Sequence, residues 1–479
     1  MEETILTKSD FWQTLFNQNW LNILFSTFGF ILALLIIGRM ISEKREPSNL
    51  FAWALLVFFL PWVGVPLYFM FGGRKSKRLV LAKRQALHLA ERAAAASAGT
   101  EHNTKITGLS EVSSGNSVEL LGDGVVSYRT LMEEINHAEK AIHIASYILG
   151  RDAVGVAIRD RLVKRASSGV QVRVLLDAFG SWGVTGRFLD PLRAAGGEVA
   201  AFMPVLPIQT HTSSNLRNHR KLAIFDHRRA ITGGQNLDGR FIANRMSKDL
   251  FVDFNVRLAG PVVSSLNRVF IADWAFAARV EPATFTEILA IRPEPCGASC
   301  IETIASGPDV EGDPLWEKII TLVQECRSEL TLVTPYFIPD EVLYRSLIVK
   351  AHAGRTIRLI VPENSNHPLV DMASNYYLRN LQQAGVEVLF YHGRMMHAKI
   401  LLCDRKFALL GSANFDLRSL FVNFEIGLLH TTDTDVTMLY AWVDSIATRC
   451  LPLADTRRAS YSNSRKRLED FAHLVAPLL

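Results

Sequence analysis

The sequence predicts an α/β protein of two pseudo-symmetric halves that form one body, preceded by an N-terminal transmembrane helical hairpin. Three observations lead there. Hydrophobic residues make up 49% of the 479-residue chain and its mean hydropathy is +0.14, and the apolar excess is concentrated in the first seventy-odd positions. Further on, the chain repeats itself at an offset of about 180 residues, the size of a domain rather than of a solenoid repeat. Within each repeat, β-branched runs such as Val170–Phe179 and Arg355–Asn364 alternate with amphipathic segments such as Leu131–Lys140 and Leu315–Glu325, the rhythm of strands joined by helices.

The anchor comes first. Trp20–Ile41 holds one charge, Arg39, and Leu50–Phe71 holds none. Each run is about 22 residues, or roughly 33 Å of helix, enough for a hydrocarbon core about 30 Å thick. Residues 1–73 therefore read as two membrane spans, about 20–41 and 50–71, joined by the short polar loop Ser42–Asn49, with Pro61 and Pro66 kinking the second. A cleaved signal peptide is disfavoured by the acidic start (Glu2, Glu3, Asp10) and the lack of a small-residue cleavage site. A buried globular hairpin is disfavoured by the uncharged second run.

Arg74, Lys75, Lys77, Arg78, Lys83 and Arg84 follow with no acidic residue among them, and they outweigh the whole chain's net charge of +5. By the positive-inside rule this collar places the rest of the chain in the cytoplasm. It also suits anionic headgroups, at about 1 kcal/mol per basic residue near the surface. The Ala-rich stretch Leu79–Ala98 leads to a polar break at Ser113–Ser117, so residues 74–117 read as juxtamembrane segment and linker. The first half then runs over 118–280, a connection over 281–300, the second half over 301–453 and a tail over 454–479. Five cysteines are too few for a disulfide scaffold, and Cys296 and Cys300 are too isolated for a zinc site; a reducing compartment fits.

One constellation occurs in both halves. His219-x-Lys221, four residues, Asp226, six residues and Gly233-Gly234-x-Asn236 match His397-x-Lys399, Asp404 and Gly411-Ser412-x-Asn414 at identical spacing. Residues i and i+2 of a strand share a face, so each His and Lys point into one cleft. Two similar halves packed about a pseudo-two-fold axis bring the two motifs face to face. The Gly-rich ending lets backbone N–H groups approach an anion, and the Asn adds a neutral donor. The chemistry these groups suit is displacement at a phosphodiester: one imidazole attacks phosphorus, lysines and amides hold the non-bridging oxygens, and the second imidazole protonates the leaving alkoxide. A single H-x-K is weak evidence; two copies with matched spacing are strong.

These segments resemble the HKD signatures of the phospholipase D superfamily, so the halves are expected to be phospholipase D-like. The whole chain is similar to bacterial cardiolipin synthases of the two-span type, through the apolar hairpin with its P-x-x-G-x-P, TPYFIPDE (Thr334–Glu341), GPVVSSLNRVFIADW (Gly260–Trp274) and the apolar ending VAPLL. The resemblance is weakest over Ala278–Gly307 and Ala454–Arg467. It implies a phosphatidyltransferase of the bacterial inner membrane that converts two phosphatidylglycerol molecules into cardiolipin and glycerol through a phosphatidyl-histidine. No metal or other cofactor and no nucleic-acid partner is expected; the oligomeric state stays open.

Carried onto this chain, the resemblance implies His219 as nucleophile and His397 as general acid, although repeat symmetry alone does not rank the two. Lys221, Lys399, Asn236 and Asn414 would bind phosphate, with Gly234 and Ser412 beside them. Asp226 and Asp404 would support local structure and the lysines. Asp253 and Glu425, in corresponding places after the motifs, are expected to orient His219 and His397 respectively. Tyr147 and Tyr336 are candidates to flank the pocket, and His211 is a candidate for headgroup contact. The tail Ser464–Leu479, with Leu468, Phe471, Leu474 and Val475 on one side, fits either an interfacial helix or packing on the body. Three other functions compete: a membrane-anchored phospholipase D hydrolase using the same residues, a nuclease, and a catalytically silent scaffold.

Overall fold

A computed structural model describes residues 18–41, 47–68, 83–85, 88–89, 110–203, 216–456, 458 and 462–475. His211 and the basic residues Arg74, Lys75, Lys77 and Arg78 lie outside them. The chain divides into two compact units, residues 1–73 with 477–479, and residues 74–476.

In the first unit, Gln18–Ile41 is one uninterrupted helix, apolar and long enough over Asn22–Ile41 to cross a membrane. The second expected span is broken. A helix over Pro47–Phe59 stops at Leu60, and a seven-residue helix restarts at Pro61, whose missing N–H suits a first turn. Ala33, Ile36 and Met40 of the long helix are buried with Trp53, Val57, Val65 and Tyr68. Trp62 stacks on Phe25 with ring centroids 3.9 Å apart. Gly64 sits so close to the Leu56 carbonyl that an added Cβ would lie 2.6 Å from it. The helices of this unit pack on one another, but among the described residues only the first is a continuous helix of spanning length.

The second unit is built on one 15-stranded sheet. The first half supplies β1 (Ser110–Leu121), β2 (Ala141–Ser146), β3 (Gln171–Asp177), β4 (Glu198–Phe202), β5 (Leu222–Phe225), β6 (Arg229–Gly233) and β7 (Asn255–Ala259). The second supplies β8 (Ser299–Ser306), β9 (Glu329–Val333), β11 (Thr356–Pro362), β12 (Glu387–Tyr391), β13 (Ile400–Cys403), β14 (Phe407–Gly411), β16 (Glu425–His430) and β17 (Cys450–Pro452), while its short strands β10 (Phe337–Ile338) and β15 (Phe415–Asp416) pair in parallel as a separate two-stranded sheet. From the centre outward, the first half runs β1-β7-β6-β5-β2-β3-β4 and the second β8-β16-β14-β13-β9-β11-β12-β17. Up to β12 the order is the same, so the sequence repeat is a structural repeat.

The halves join where β1 pairs antiparallel with β8 while its C-terminal part pairs with β7. This corrects the expected linker: Ser113–Ser117 lies inside the strand that joins the halves. Its polar residues suit a strand whose side chains alternate between exposed and half-buried, and Gly115, with φ of 84°, makes the register shift between Ser113 and Asn116.

One apolar core spans both halves, uniting Phe254 and Val256 with Phe424 and Ile426, and a separate cluster fills each half. Helix Val262–Ala278 lies in the shared core and is buried on nearly every side. The C-terminal helix Asn463–Val475 packs against helix Pro368–Gln383, so the tail does pack on the body, but with its polar side inward. Glu469 is 1% exposed, accepting from Asn375 Nδ2 at 2.7 Å and pairing with Arg379, while His473 stacks on Tyr376 at 4.0 Å. Leu468 and Phe471 are left exposed; the side chains of Leu474 and Val475 lie outside the described residues.

Candidate active site

Each H-x-K segment leads into the middle strand of its half, His219 and Lys221 just before β5 and His397 and Lys399 just before β13. Both segments are tied by backbone hydrogen bonds to the opposite half. His219 N–H donates to the Phe424 carbonyl and Phe424 N–H to the Arg217 carbonyl, both at 2.9 Å. Symmetrically, His397 N–H donates to the Val252 carbonyl at 2.7 Å and Val252 N–H to the Met395 carbonyl at 2.8 Å. The residue after each of these cross-half partners is a carboxylate.

That register decides which carboxylate meets which histidine. Glu425 lies against His219, with Nδ1 to Oε1 at 3.1 Å, and Asp253 lies against His397, with Nδ1 to Oδ2 at 2.8 Å. The expected pairing within each half is thus reversed: each imidazole is oriented by the other half's acid. The Gly-rich endings take part. An added Cβ on Gly234 would sit 2.4 Å from Asp253 Oδ1, so the glycine makes room for this carboxylate. Its counterpart Ser412 donates Oγ–H to Glu425 Oε2 at 2.5 Å, and its carbonyl lies 3.1 Å from His219 Nδ1.

The lysines sit beside the imidazoles. Lys221 Nζ donates to the His219 carbonyl at 2.7 Å; Lys399 Nζ lies 2.6 Å from His397 Nδ1 and 4.0 Å from Asp253 Oδ2. Tyr147 meets the His219 ring edge-to-face at 4.9 Å, and Tyr336 approaches His397 at 6.2 Å, so both tyrosines flank the site. Phe241 also packs on His397, at 4.8 Å. Asn236 Oδ1 accepts from the Ile148 amide at 3.3 Å. Asn414 Nδ2 donates to Asp416 at 3.0 Å, and its Oδ1 is buried with no partner among the described residues.

Asp226 and Asp404 are elsewhere. Each stands seven residues beyond its histidine, about 20 Å along an extended strand, in a turn with positive φ (Asp226 52°, His227 59°; Asp404 51°, Arg405 54°). The Asp226 carboxylate accepts from the amides of Glu139, Lys140 and Ala141, and Asp404 from those of Arg327, Ser328 and Glu329. They fasten the hairpin to the start of the neighbouring strand, and their hydrogen bonds do not involve the lysines.

Burial dominates the electrostatics. Desolvation and nearby lysines pull His397 well below its ordinary value. His219 is lowered less, because the Glu425 carboxylate opposes the desolvation. Desolvation brings Lys221 down to about 7 and Lys399 to about 8. Burial pushes Asp253 up to about 6, whereas for Glu425 the desolvation is outweighed by His219, Lys221 and the Ser412 hydroxyl, which hold it below the usual range. Near neutral pH the site therefore presents two uncharged imidazoles, an ionised Glu425 and two lysines that hold their protons weakly.

Two further participants lie outside the motif positions. Arg220, the middle residue of the first H-x-K, is 2% exposed; it donates Nε–H to the Glu425 carbonyl at 3.0 Å and pairs with Asp273 at 2.7 Å. Its counterpart is Ala398, so the halves differ here, and an arginine in the first H-x-K where the second has alanine was the available signal. Lys83, in sequence a member of the basic collar, is fully buried between Asp273 (2.6 Å) and Asp309 (2.5 Å). Among the described residues, one group has metal-ligand geometry: Cys326, Cys403 and Asp404 offer ligand atoms within 4.8 Å of one another, but Asp404 already accepts from three backbone amides and the Ser328 hydroxyl.

Comparison with known proteins agrees with this architecture. The family model described as "Cardiolipin synthase, PLD-like domain" matches residues 131–274 and 319–446, one match in each half. A second model, "Phospholipase_D-nuclease N-terminal", matches residues 30–73. A cardiolipin synthase of Alkalihalophilus pseudofirmus is 30% identical, over 94% of this chain and 93% of its own length. The major cardiolipin synthase of Bacillus subtilis is also 30% identical, over 85% of this chain and 88% of its own. The crystal structure of a phosphatidylserine synthase from Haemophilus influenzae superposes with a TM-score of 0.57 at 15% identity, covering 75% of this chain and 94% of that one, which supports the fold. With matches in both halves and across the N-terminal segment, the chain belongs to the cardiolipin synthase family of phospholipase D-like phosphatidyltransferases.

Proposed function

We propose that this protein makes cardiolipin and glycerol from two molecules of phosphatidylglycerol, in the bacterial inner membrane, with its α/β body in the cytoplasm. The observation that carries the reading is the crossed arrangement of two histidine–carboxylate pairs with two lysines in one buried cluster. His219 Nε2 attacks phosphorus, the P–O bond to the donor's glycerol breaks, and the glycerol oxygen takes a proton from His397. The acceptor's hydroxyl then returns a proton to His397 and attacks the phosphatidyl-histidine, and the P–N bond breaks to free His219. The negative phosphodiester raises the pKa of His397 as it binds, which supplies the protonated form that the empty site disfavours. Lys221 and Lys399 neutralise the non-bridging oxygens. His219 is favoured as nucleophile because its partner Glu425 is the more readily ionised acid and stabilises positive charge on the ring during attack.

Transfer rather than hydrolysis requires that a lipid hydroxyl outcompete water. Both substrates lie in the bilayer, and the apolar helix Asn22–Ile41 keeps the enzyme at that surface, which raises the acceptor's effective concentration. The basic residues after the hairpin support the cytoplasmic side. A product assay on vesicles of defined lipids tests the reading. Cardiolipin and glycerol from phosphatidylglycerol, unchanged by EDTA, support it; phosphatidic acid as the main product would establish the hydrolase instead.

A further inference from the structure

Lys83 precedes the sheet by 27 residues, yet its ammonium group is fully buried in the body. It bridges two carboxylates from opposite halves: Asp273, on the central helix Val262–Ala278, and Asp309, in the loop after β8. Its Nζ also lies 4.7 Å from the centre of the Phe424 ring. Asp273 in turn pairs with Arg220 and accepts from Asn218 Nδ2 at 2.9 Å, and Arg220 holds the Glu425 carbonyl and the Ser306 carbonyl, each at 3.0 Å. The Glu425 carboxylate closes the chain on His219. Two cations and two carboxylates thus form a charge-balanced buried cluster directly beneath the first histidine.

A buried charge is retained only when paired, and this pairing has a geometric consequence. Without Lys83, Asp273 and Asp309 would compete for Arg220, the one remaining cation of the cluster. Arg220 would then be drawn from the Glu425 and Ser306 carbonyls, releasing the backbone at the position that sets the Glu425 carboxylate against His219. The second half has no equivalent, because Ala398 replaces Arg220. We propose that Lys83 is a positioning residue for the His219 side of the site, acting through Asp273, Arg220 and Glu425 to tie the segment that follows the apolar helices to that half of the machinery.

The proposal rests on His219 acting at phosphorus, so loss of turnover in His219→Ala secures that point first. Lys83→Met, Lys83→Arg and Lys83→Met with Asp309→Asn are then compared in full-length enzyme by thermal midpoint, kcat, KM and the pH profile. Besides Glu425, the charged and titrating groups facing His219 are Lys221, Lys399, His397 and Tyr147, and all are unaltered in these variants. Lys83→Met leaves an uncompensated negative charge that favours the protonated imidazole. Its kcat should fall at least about tenfold with KM little changed, and its acid limb should move to higher pH. The double variant restores charge balance and should return the limb and most of the rate, as should Lys83→Arg in part. Folded Lys83→Met with the wild-type kcat and acid limb would overturn the proposal. So would a double variant that regains thermal stability but not rate.

Discussion

The carboxylate that faces the His219 imidazole belongs to Glu425, 206 positions along the chain and in the opposite half. The reciprocal contact, His397 with Asp253, crosses the same interface in the other direction. Neither half therefore contains a complete histidine–carboxylate pair, and under the proposed mechanism the duplicated halves are needed together. The backbone bridges Asn218–Phe424 and Val252–Met396 set this geometry, with the acid following the bridge partner by one residue.

The crossed pairing predicts crossed effects. Glu425→Gln keeps a hydrogen-bond acceptor but removes the charge that stabilises the ring as it becomes cationic, so kcat should fall about 10²-fold or more. Histidine-selective nitrogen NMR should show the His219 resonances displaced and those of His397 nearly unmoved, with Asp253→Asn doing the reverse. Displacement of the histidine in the same half as the substituted acid would refute the pairing.

The pH dependence follows from the burial. Attack needs neutral His219, whose pKa desolvation holds below 6.5, so the acid limb of kcat/KM should lie below 6.5. Phosphate binding needs charged lysines, and Lys221 titrates at about 7 and Lys399 at about 8. Activity should accordingly decline on the alkaline side from about pH 7. With both imidazoles neutral there, this limb reports lysine deprotonation and not loss of a proton from free His397. Lys221→Arg, which stays protonated, should carry the alkaline limb upward even if its maximal rate is lower. A limb that stays in place would assign it to another group.

Asp404 is predicted to matter for stability and not for chemistry. The Asp404→Ala variant removes the hydrogen bonds that its carboxylate accepts from three largely solvent-accessible amides and the Ser328 hydroxyl, costing about 1 kcal/mol, so the thermal midpoint should fall by about one to two degrees while kcat per folded molecule stays near wild type. Those hydrogen bonds hold the carboxyl at about 2, below its ordinary 3.8, despite partial burial. Its contribution is therefore complete above about pH 4 and is lost as pH falls through about 2. A large loss of kcat at unchanged stability would place Asp404 in the reaction.

Gly234 and Ser412 occupy equivalent positions and should respond differently. Gly234→Ala puts a methyl group where Asp253 Oδ1 lies, so its rate should drop about as far as that of Asp253→Asn. Ser412→Gly removes one hydrogen bond to Glu425, and a loss of only about tenfold is expected. Steady-state kinetics of the pair decides it; a nearly neutral Gly234→Ala would show that Asp253 has room to move.

The features that were legible in the sequence are those with a period or a spacing. Matched H-x-K-x4-D-x6-G-[GS]-x-N segments revealed the duplication and the histidines, and β-branched runs revealed the strands. The partner of each histidine was not legible, because Asp253 and Glu425 stand at equivalent places in a repeat, and equivalence cannot distinguish contact within a half from contact across the pseudo-two-fold. Ser113–Ser117 resembled a linker because a bulged strand carrying small polar side chains has a linker's composition. Lys83 resembled a surface charge because its two acids are 190 and 226 residues away. The tail misled in a similar way: its apolar residues suggested the buried side, whereas Glu469, satisfied by Asn375 and Arg379, is buried and Phe471 is exposed.

The proposed reaction rests a phosphatidyl group on His219 while His397, held by Asp253, moves the proton. Rapid acid-free quenching of enzyme turning over phosphatidylglycerol labelled at phosphorus, followed by peptide mapping, addresses it directly. Label is expected on His219, formed and discharged at rates at least equal to kcat, and absent in His219→Ala. Label confined to His397, or turnover with no phosphohistidine at any time point, would contradict it.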